Sequence, residues 1–169
     1  DIQNRGLVYI MNSLMYIENS TFANTTSKYC PAIYSFQSSG KIKKSAFVNL
    51  TATLTAGAIG IREQPGEITI DDCDFINTRC EKNGGAIYAD IGGENGIFDG
   101  NITILNSRFT DCISEFGGAC LQLAGHLNID NTNFTSNIAD FDGGAIYTSW
   151  VSTVNISNSI FTSNRGIYI

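Results

Sequence analysis

Polar and apolar residues alternate with period two in many short stretches of the chain, as in Ile68-Thr69-Ile70-Asp71 and Leu127-Asn128-Ile129-Asp130. Such alternation marks half-buried strands. A second kind of strand opens on glycines, which allow a tight turn, and runs on as Gly-Ala-Ile-Tyr. Both kinds recur. Six phenylalanines, Phe22, Phe47, Phe75, Phe109, Phe134 and Phe161, follow one another at spacings of 25, 28, 34, 25 and 27 residues. Five residues before each stands an isoleucine: Ile17, Ile42, Ile70, Ile104, Ile129 and Ile156. Two before each is a small residue, Ser20, Ser45, Cys73, Ser107, Thr132 or Ser159, and three before are Asn19, Lys44, Asp72, Asn106, Asn131 and Asn158. Eleven or twelve residues after each of the first five phenylalanines come Pro31-Ala32-Ile33, Gly57-Ala58-Ile59, Gly84-Gly85-Ala86-Ile87, Gly117-Gly118-Ala119-Cys120 and Gly143-Gly144-Ala145-Ile146.

A period of this length holds two or three short strands and their turns. It is too short to close a barrel or a sandwich, and it suits one coil of a solenoid whose equivalent strands stack in parallel. The pattern predicts an all-β, right-handed parallel β-helix of about six coils, 25–28 residues each, forming a single unit over residues 1–169. Stacking then places one isoleucine and one phenylalanine column inside, with about 4.8 Å between neighbours. Asn19, Asn106, Asn131 and Asn158 are read as an interior amide ladder, each side chain donating to the next. For Gly-Ala-Ile-Tyr the inward face stays open: Ile59 and Ile61 favour Ile inward, whereas Ala119, Leu121 and Leu123 favour the other face. The 34-residue spacing carries an insertion over residues 90–99, expected to bulge as a loop. Asn4-Arg5-Gly6-Leu7-Val8-Tyr9-Ile10 matches Asn164-Arg165-Gly166-Ile167-Tyr168-Ile169, so the chain stops at the phase where it starts. Neither end carries a recognisable cap, which suggests a segment of a longer solenoid or a subunit that stacks head to tail on copies of itself.

Composition narrows the function classes. Leu is scarce (8) beside Ile (23), and Asn, Ser, Thr and Gly make 64 of the 169 residues, which excludes a helical bundle. With 43% hydrophobic residues the chain is not disordered, and no apolar run approaches the ~20 residues of a membrane-spanning helix, so no membrane span is expected in this segment. A net charge of −6 with ten Lys and Arg argues against nucleic acid. Only 15% of residues are charged, as expected where like charges one coil apart would repel. No signal peptide opens the chain, so a secreted protein would be represented by its mature form or a fragment.

The paired motifs Gly-Gly-Ala-Ile (Gly84–Ile87, Gly143–Ile146) and Phe-x-x-Asn (Phe134-Thr135-Ser136-Asn137, Phe161-Thr162-Ser163-Asn164) resemble the repeats of chlamydial polymorphic membrane proteins and of Asn-rich β-helical surface proteins of protists, ciliates included. The first two coils depart from it: Pro31 or Ala56 replaces the first glycine of the pair, and Thr25 or Leu50 the final Asn. The resemblance covers nearly the whole chain. It implies an extracellular structural or adhesive role at a cell surface, and function still has to be argued from sites.

Six N-glycosylation sequons occur, at Asn19, Asn24, Asn49, Asn101, Asn133 and Asn155. Asn101, Asn133 and Asn155 alternate against the inward Ile and Phe and should face out. Asn24 and Asn49 hold equivalent places and would form a glycan row, while Asn19 falls in the ladder column and should be buried and bare. N-linked glycans are the one non-protein group expected; no cofactor or metal is. Among the five cysteines, Cys73 and Cys120 read as small buried hydrophobes, Cys80 and Cys112 as disulfide candidates in adjacent coils, and Cys30 as the unpaired or intermolecular thiol. Asp71, Asp72 and Asp74 lie on one coil and Asp140 and Asp142 on another; Arg108 beside Asp74 reads as a cross-coil ion pair, and scattered carboxylates do not make a catalytic site. Asp90, Glu94, Asn95 and Asp99 lack the spacing of calcium loops, and His126, Trp150 and the Lys41, Lys43, Lys44 patch read as ordinary surface. The leading expectation is a non-enzymatic, glycosylated segment of an extracellular fibre or filament. An adhesin that binds a host or glycan partner is the alternative, and a polysaccharide lyase or hydrolase comes third.

Overall fold

The computed structural model describes residues 6–92, 99–150 and 153–167, with residues 121–123 described by backbone alone. All its regular structure is β, and all its strand pairs are parallel. Three sheets run along one axis as a β-solenoid of about five turns. The first sheet stacks Val8–Met11, Ile33–Phe36, Ile59–Arg62, Ile87–Asp90, Cys120–Leu123 and Ile146–Ser149. The second stacks Leu14–Glu18, Ser39–Lys43, Glu67–Asp71, Asn101–Leu105, His126–Asp130 and Thr153–Ser157. The third begins with Thr21–Tyr29, Ala46–Thr55 and Asp74–Cys80 and continues as pairs of short strands, Arg108–Thr110 with Ile113–Ser114, Asn133–Thr135 with Ile138–Ala139, and Ile160–Thr162 with Arg165–Gly166. Each of the first two sheets is six strands deep, so about five turns connect six rungs where the repeat predicts about six coils.

The columns form as the repeat predicts. Ile17, Ile42, Ile70, Ile104, Ile129 and Ile156 stand in register across the second sheet. The six phenylalanines stack in the third with ring centroids 5.2, 4.6, 4.5, 4.9 and 4.8 Å apart and nearly parallel planes. Each ring contributes both area removed from water and a stacked aromatic contact. In the first sheet Ile33, Ile59, Ile87 and Cys120 point inward and are buried, which settles the open orientation in favour of Ile inward.

Corners are turned by single residues in the left-handed region. Asn19, Lys44, Asp72, Asn106, Asn131 and Asn158 all have φ between 46° and 54°. Asn and Asp tolerate this conformation best among residues with a side chain. A residue at such a corner projects outward, so the interior-ladder reading of Asn19, Asn106, Asn131 and Asn158 is corrected: all four are exposed. Amide bonds do link rungs there, with Asn131 Nδ2 donating to Asn106 Oδ1 and Asn106 Nδ2 to Asp71 Oδ1, each at 2.8 Å, and Asn158 Nδ2 to Asp130 Oδ1 at 2.7 Å. They run along the outside.

The interior polar ladder lies one residue further on and is made of hydroxyls. Ser107 Oγ accepts from the Cys73 N–H at 3.1 Å and donates to Leu105 O at 2.6 Å. Thr132 Oγ1 accepts from Ser107 N–H and donates to Asp130 O, and Ser45 and Ser159 repeat the arrangement. The glycine pair has two separate causes. Gly84, Gly117 and Gly143 hold φ near 70°. At Gly57, Gly85 and Gly118 a Cβ would overlap the carbonyl of the glycine in the next coil, so the backbones stack too closely for a side chain. Counting back from the Ile33–Ile59 pair, Pro31 stands opposite Gly57 and so replaces the second glycine of the pair, not the first. Of the insertion, Asp90–Gly92 and Asp99 are described, and residues 93–98 lie outside the described residues.

Candidate functional site

Five of the six sequons reach the surface in the predicted sense. Asn133 is exposed between buried Thr132 and Phe134, Asn155 is exposed, and Asn101 is half-buried beside buried Ile102. Asn24 and Asn49 are exposed and one rung apart, and their amides bond, Asn49 Nδ2 donating to Asn24 Oδ1 at 3.2 Å. Asn19 also faces out, contrary to the expectation that it is buried and bare, because it sits at a corner rather than within an alternating strand. The outside of the solenoid thus presents sequon asparagines on the second and third sheets.

No disulfide joins the five cysteines, and all five are buried. The Cys80–Cys112 pairing is corrected by register. Arg79 stands opposite Ile113, which places Cys112 opposite Thr78 and leaves Cys80 two residues along the strand. That offset is about 7 Å, beyond the reach of a disulfide without backbone movement. Cys112 Sγ instead lies 3.2 Å from Thr78 Oγ1, which donates to it, and contacts Phe75 O. Burial pushes the Cys112 thiol up to about 12 and the Cys73 thiol up to about 11. Burial likewise raises Cys120 well above its ordinary value, so these sulfurs stay protonated and poorly nucleophilic. Cys30, read as the unpaired or intermolecular thiol, forms no disulfide and is fully buried.

The acidic residues pair across coils. Arg108 Nε and Nη2 donate to the two carboxylate oxygens of Asp74 at 2.5 and 2.6 Å, and Lys43 Nζ lies 3.2 Å from Asp71. The Asn106 amide, together with Lys43, holds the Asp71 carboxyl below the usual range against a modest opposing effect of burial. Asp140 and Asp142 are exposed, and Asp99 lies 3.2 Å from His126 Nε2. Among the described residues no group of three His, Cys, Asp or Glu could hold a metal ion; Glu94 and Asn95 of the acidic loop lie outside them.

The end rungs complete the picture. In the middle coils the Ile and Phe columns are buried, whereas Ile156 and Phe161 are exposed in the last rung together with Val154 and Ile160. At the other end Leu7, Tyr9, Met11, Leu14 and Tyr16 are exposed. Sequence reasoning missed the buried role of the Phe-x-x-Asn asparagines. Asn137 Oδ1 accepts from the Cys112 N–H at 3.0 Å, and its Nδ2 donates to Phe109 O at 3.1 Å and to Asn164 Oδ1 at 2.8 Å. The motif itself was the available signal. Compared with protein-family models, curated proteins and solved structures, the chain matches none.

Proposed function

We propose that the chain is a non-enzymatic structural segment of an extracellular surface protein or fibre, N-glycosylated on its sides and extended along its axis by further rungs. The observation that carries this reading is the state of the end rungs. Val154, Ile156 and Phe161 continue interior columns yet are exposed, so another rung, from the same chain or from a copy, would bury them. Outward sequons support a glycosylated flank, and the likeness of the repeats to those of bacterial and protist surface proteins fits the same setting. Rigidity follows from the ladder geometry, because backbone hydrogen bonds and stacked side chains both run along the axis.

The test is expression of this chain through a eukaryotic secretory pathway, followed by glycopeptide mapping and analytical ultracentrifugation. The expected result is occupancy at Asn133 and Asn155, with end-to-end association that the double variant Ile156→Asp, Phe161→Asp abolishes. A chain that stays monomeric at tens of micromolar and carries no glycan would overturn the proposal.

A further inference from the structure

The two end rungs fit each other. At one end Val8, Ile10, Met15, Ile17 and Phe22 line an apolar hollow of about 470 Å³. At the other, Val154, Ile156 and Phe161 lie exposed. The registers of the sheets fix which residues would meet if the first rung of a second copy were set on the last. Ile17 stands in the column that Ile156 ends, and Met15 in the column that Val154 ends. Phe22 stands in the column that Phe161 ends. In the first sheet Val8 would continue the column of Ile146. The contact would set a long side chain on a shorter one at Met15 and Val154. It would bring the Phe22 ring into the aromatic stack about 4.8 Å beyond Phe161.

The polar ladders have matching loose ends. Inside, the N–H of one rung donates to the hydroxyl of the next, Ser20 N–H to Ser45 Oγ at 3.2 Å and Thr132 N–H to Ser159 Oγ at 3.1 Å. The Ser159 N–H is the next donor of this column. Ser20 Oγ, which itself donates to Glu18 O, keeps a lone pair for it. Outside, the corner amide of a later rung donates to the one before, Asn131 to Asn106, and Asn19 and Asn158 stand at equivalent corners. The strands of the two copies do not compete for space. Arg165–Gly166 lies opposite Ile138–Ala139, five residues before Gly144, and Gly144 ends the column that Gly6 of the second copy would continue. Two like ends cannot pair in this way, because turning one copy over would oppose strands that are parallel at every internal contact.

We propose that the first rung of one copy docks on the last rung of another in the register of the internal rungs. The contact is head to tail and leaves both outer ends free, so it repeats into a polar filament that grows by about 29 Å, six rungs, per copy. The inference rests on the reading that further rungs extend the axis, and names a second copy as their source.

The test uses two variants of the whole chain, unglycosylated, Tyr16→Cys and Asn155→Cys. Both positions are exposed. In the proposed register their Cα atoms would stand about 4.8 Å apart across the junction, within reach of a disulfide. The five native thiols are buried and do not compete. Under mild oxidation the mixture should give about tenfold more disulfide-linked dimer than either variant alone, or than Leu14→Cys mixed with Asn155→Cys, whose Cα atoms would lie about 8 Å apart. Equal crosslinking of the two mixtures overturns the proposal, as does association without the crosslink between positions 16 and 155, or a chain that stays monomeric at tens of micromolar. A monomer that is nonetheless glycosylated at Asn133 and Asn155 after secretion overturns this docking alone and leaves the axial reading, with the further rungs supplied by the chain itself.

Discussion

The third sheet bends at the same place in every coil, two residues after the phenylalanine, yet the early and late coils secure the bend from opposite sides. Asn24, Asn49, Asn77, Asp111, Ser136 and Ser163 all turn there with φ between 50° and 58°. In the first three coils the outer residue is an amide, and Asn77 donates to Asn49 and Asn49 to Asn24, while Thr25, Leu50 and Thr78 face in. In the last three the outer residues are Asp111, Ser136 and Ser163, and the inner column reads Cys112, Asn137, Asn164. The amide has moved from outside to inside. The strands respond: they run through the bend in the early coils and break into two pieces in the late ones. An outer amide competes with water for its bonds, whereas an inner one satisfies backbone groups that water cannot reach.

Substitutions at this bend should separate the two arrangements. Leu50→Ala tests the early arrangement from inside and should cost about 3 kcal/mol through lost packing, with no change at the late coils. Asn137→Ala leaves the Cys112 N–H buried and unpaired, and should cost about 2 kcal/mol in chemical denaturation. A loss below about 1 kcal/mol would mean that the inner amide is no anchor. In the same variant Cys112, fully buried in the native protein, should begin to label with thiol reagents; continued protection would show that the pocket has closed around it. Asn49→Ala breaks two outer amide bonds yet should cost under about 1 kcal/mol, since water replaces them. A larger loss than Asn137→Ala would invert the comparison. The smallest effect concerns the outer ladders at the neighbouring corner. Asp71 and Asp130 both have carboxyls held below their ordinary value of 3.8, Asp71 chiefly by Asn106 and Asp130 by Ser157 and Asn158. Their contribution is present above the unfolded value and is lost as the pH falls through the lower folded one. The thermal midpoint should therefore fall slightly further below pH 4 than in Asn106→Ala, and equal acid slopes would remove the ladder from the explanation.

The columns of Ile and Phe were legible because stacking puts like residues on like residues, and six repeats make the register visible. The corners were not, although the spacing held the clue. Ile and Phe both point inward but stand five residues apart, an odd number that strict alternation forbids. One residue between them must break the alternation, and it is the left-handed one: Asn19 in the first coil, Asn131 in the fifth. Counting alternation forward from Ile17 puts Asn19 inside; counting back from Phe22 puts Ser20 there, and the structure follows the second count. The same odd step, three residues from Phe134 to Asn137, carries the inner amide. The packing of Cys30 over Gly60 was illegible for another reason. It depends on where the chain from Tyr29 to Cys30 folds over the first sheet, and no local pattern encodes that.

The close approach of glycine to glycine at one corner has a consequence for how such a chain changes over generations. Since each coil meets only its neighbours, and meets them through the same columns, recombination that duplicates or removes one whole coil leaves every remaining interface of a kind already present. Deletion of a residue at the glycine corner itself has no such protection, because it shifts the Gly57–Gly85–Gly118 line and sets a side chain against a carbonyl. Copy number of the coil and the length of loops away from that corner are therefore the quantities free to vary.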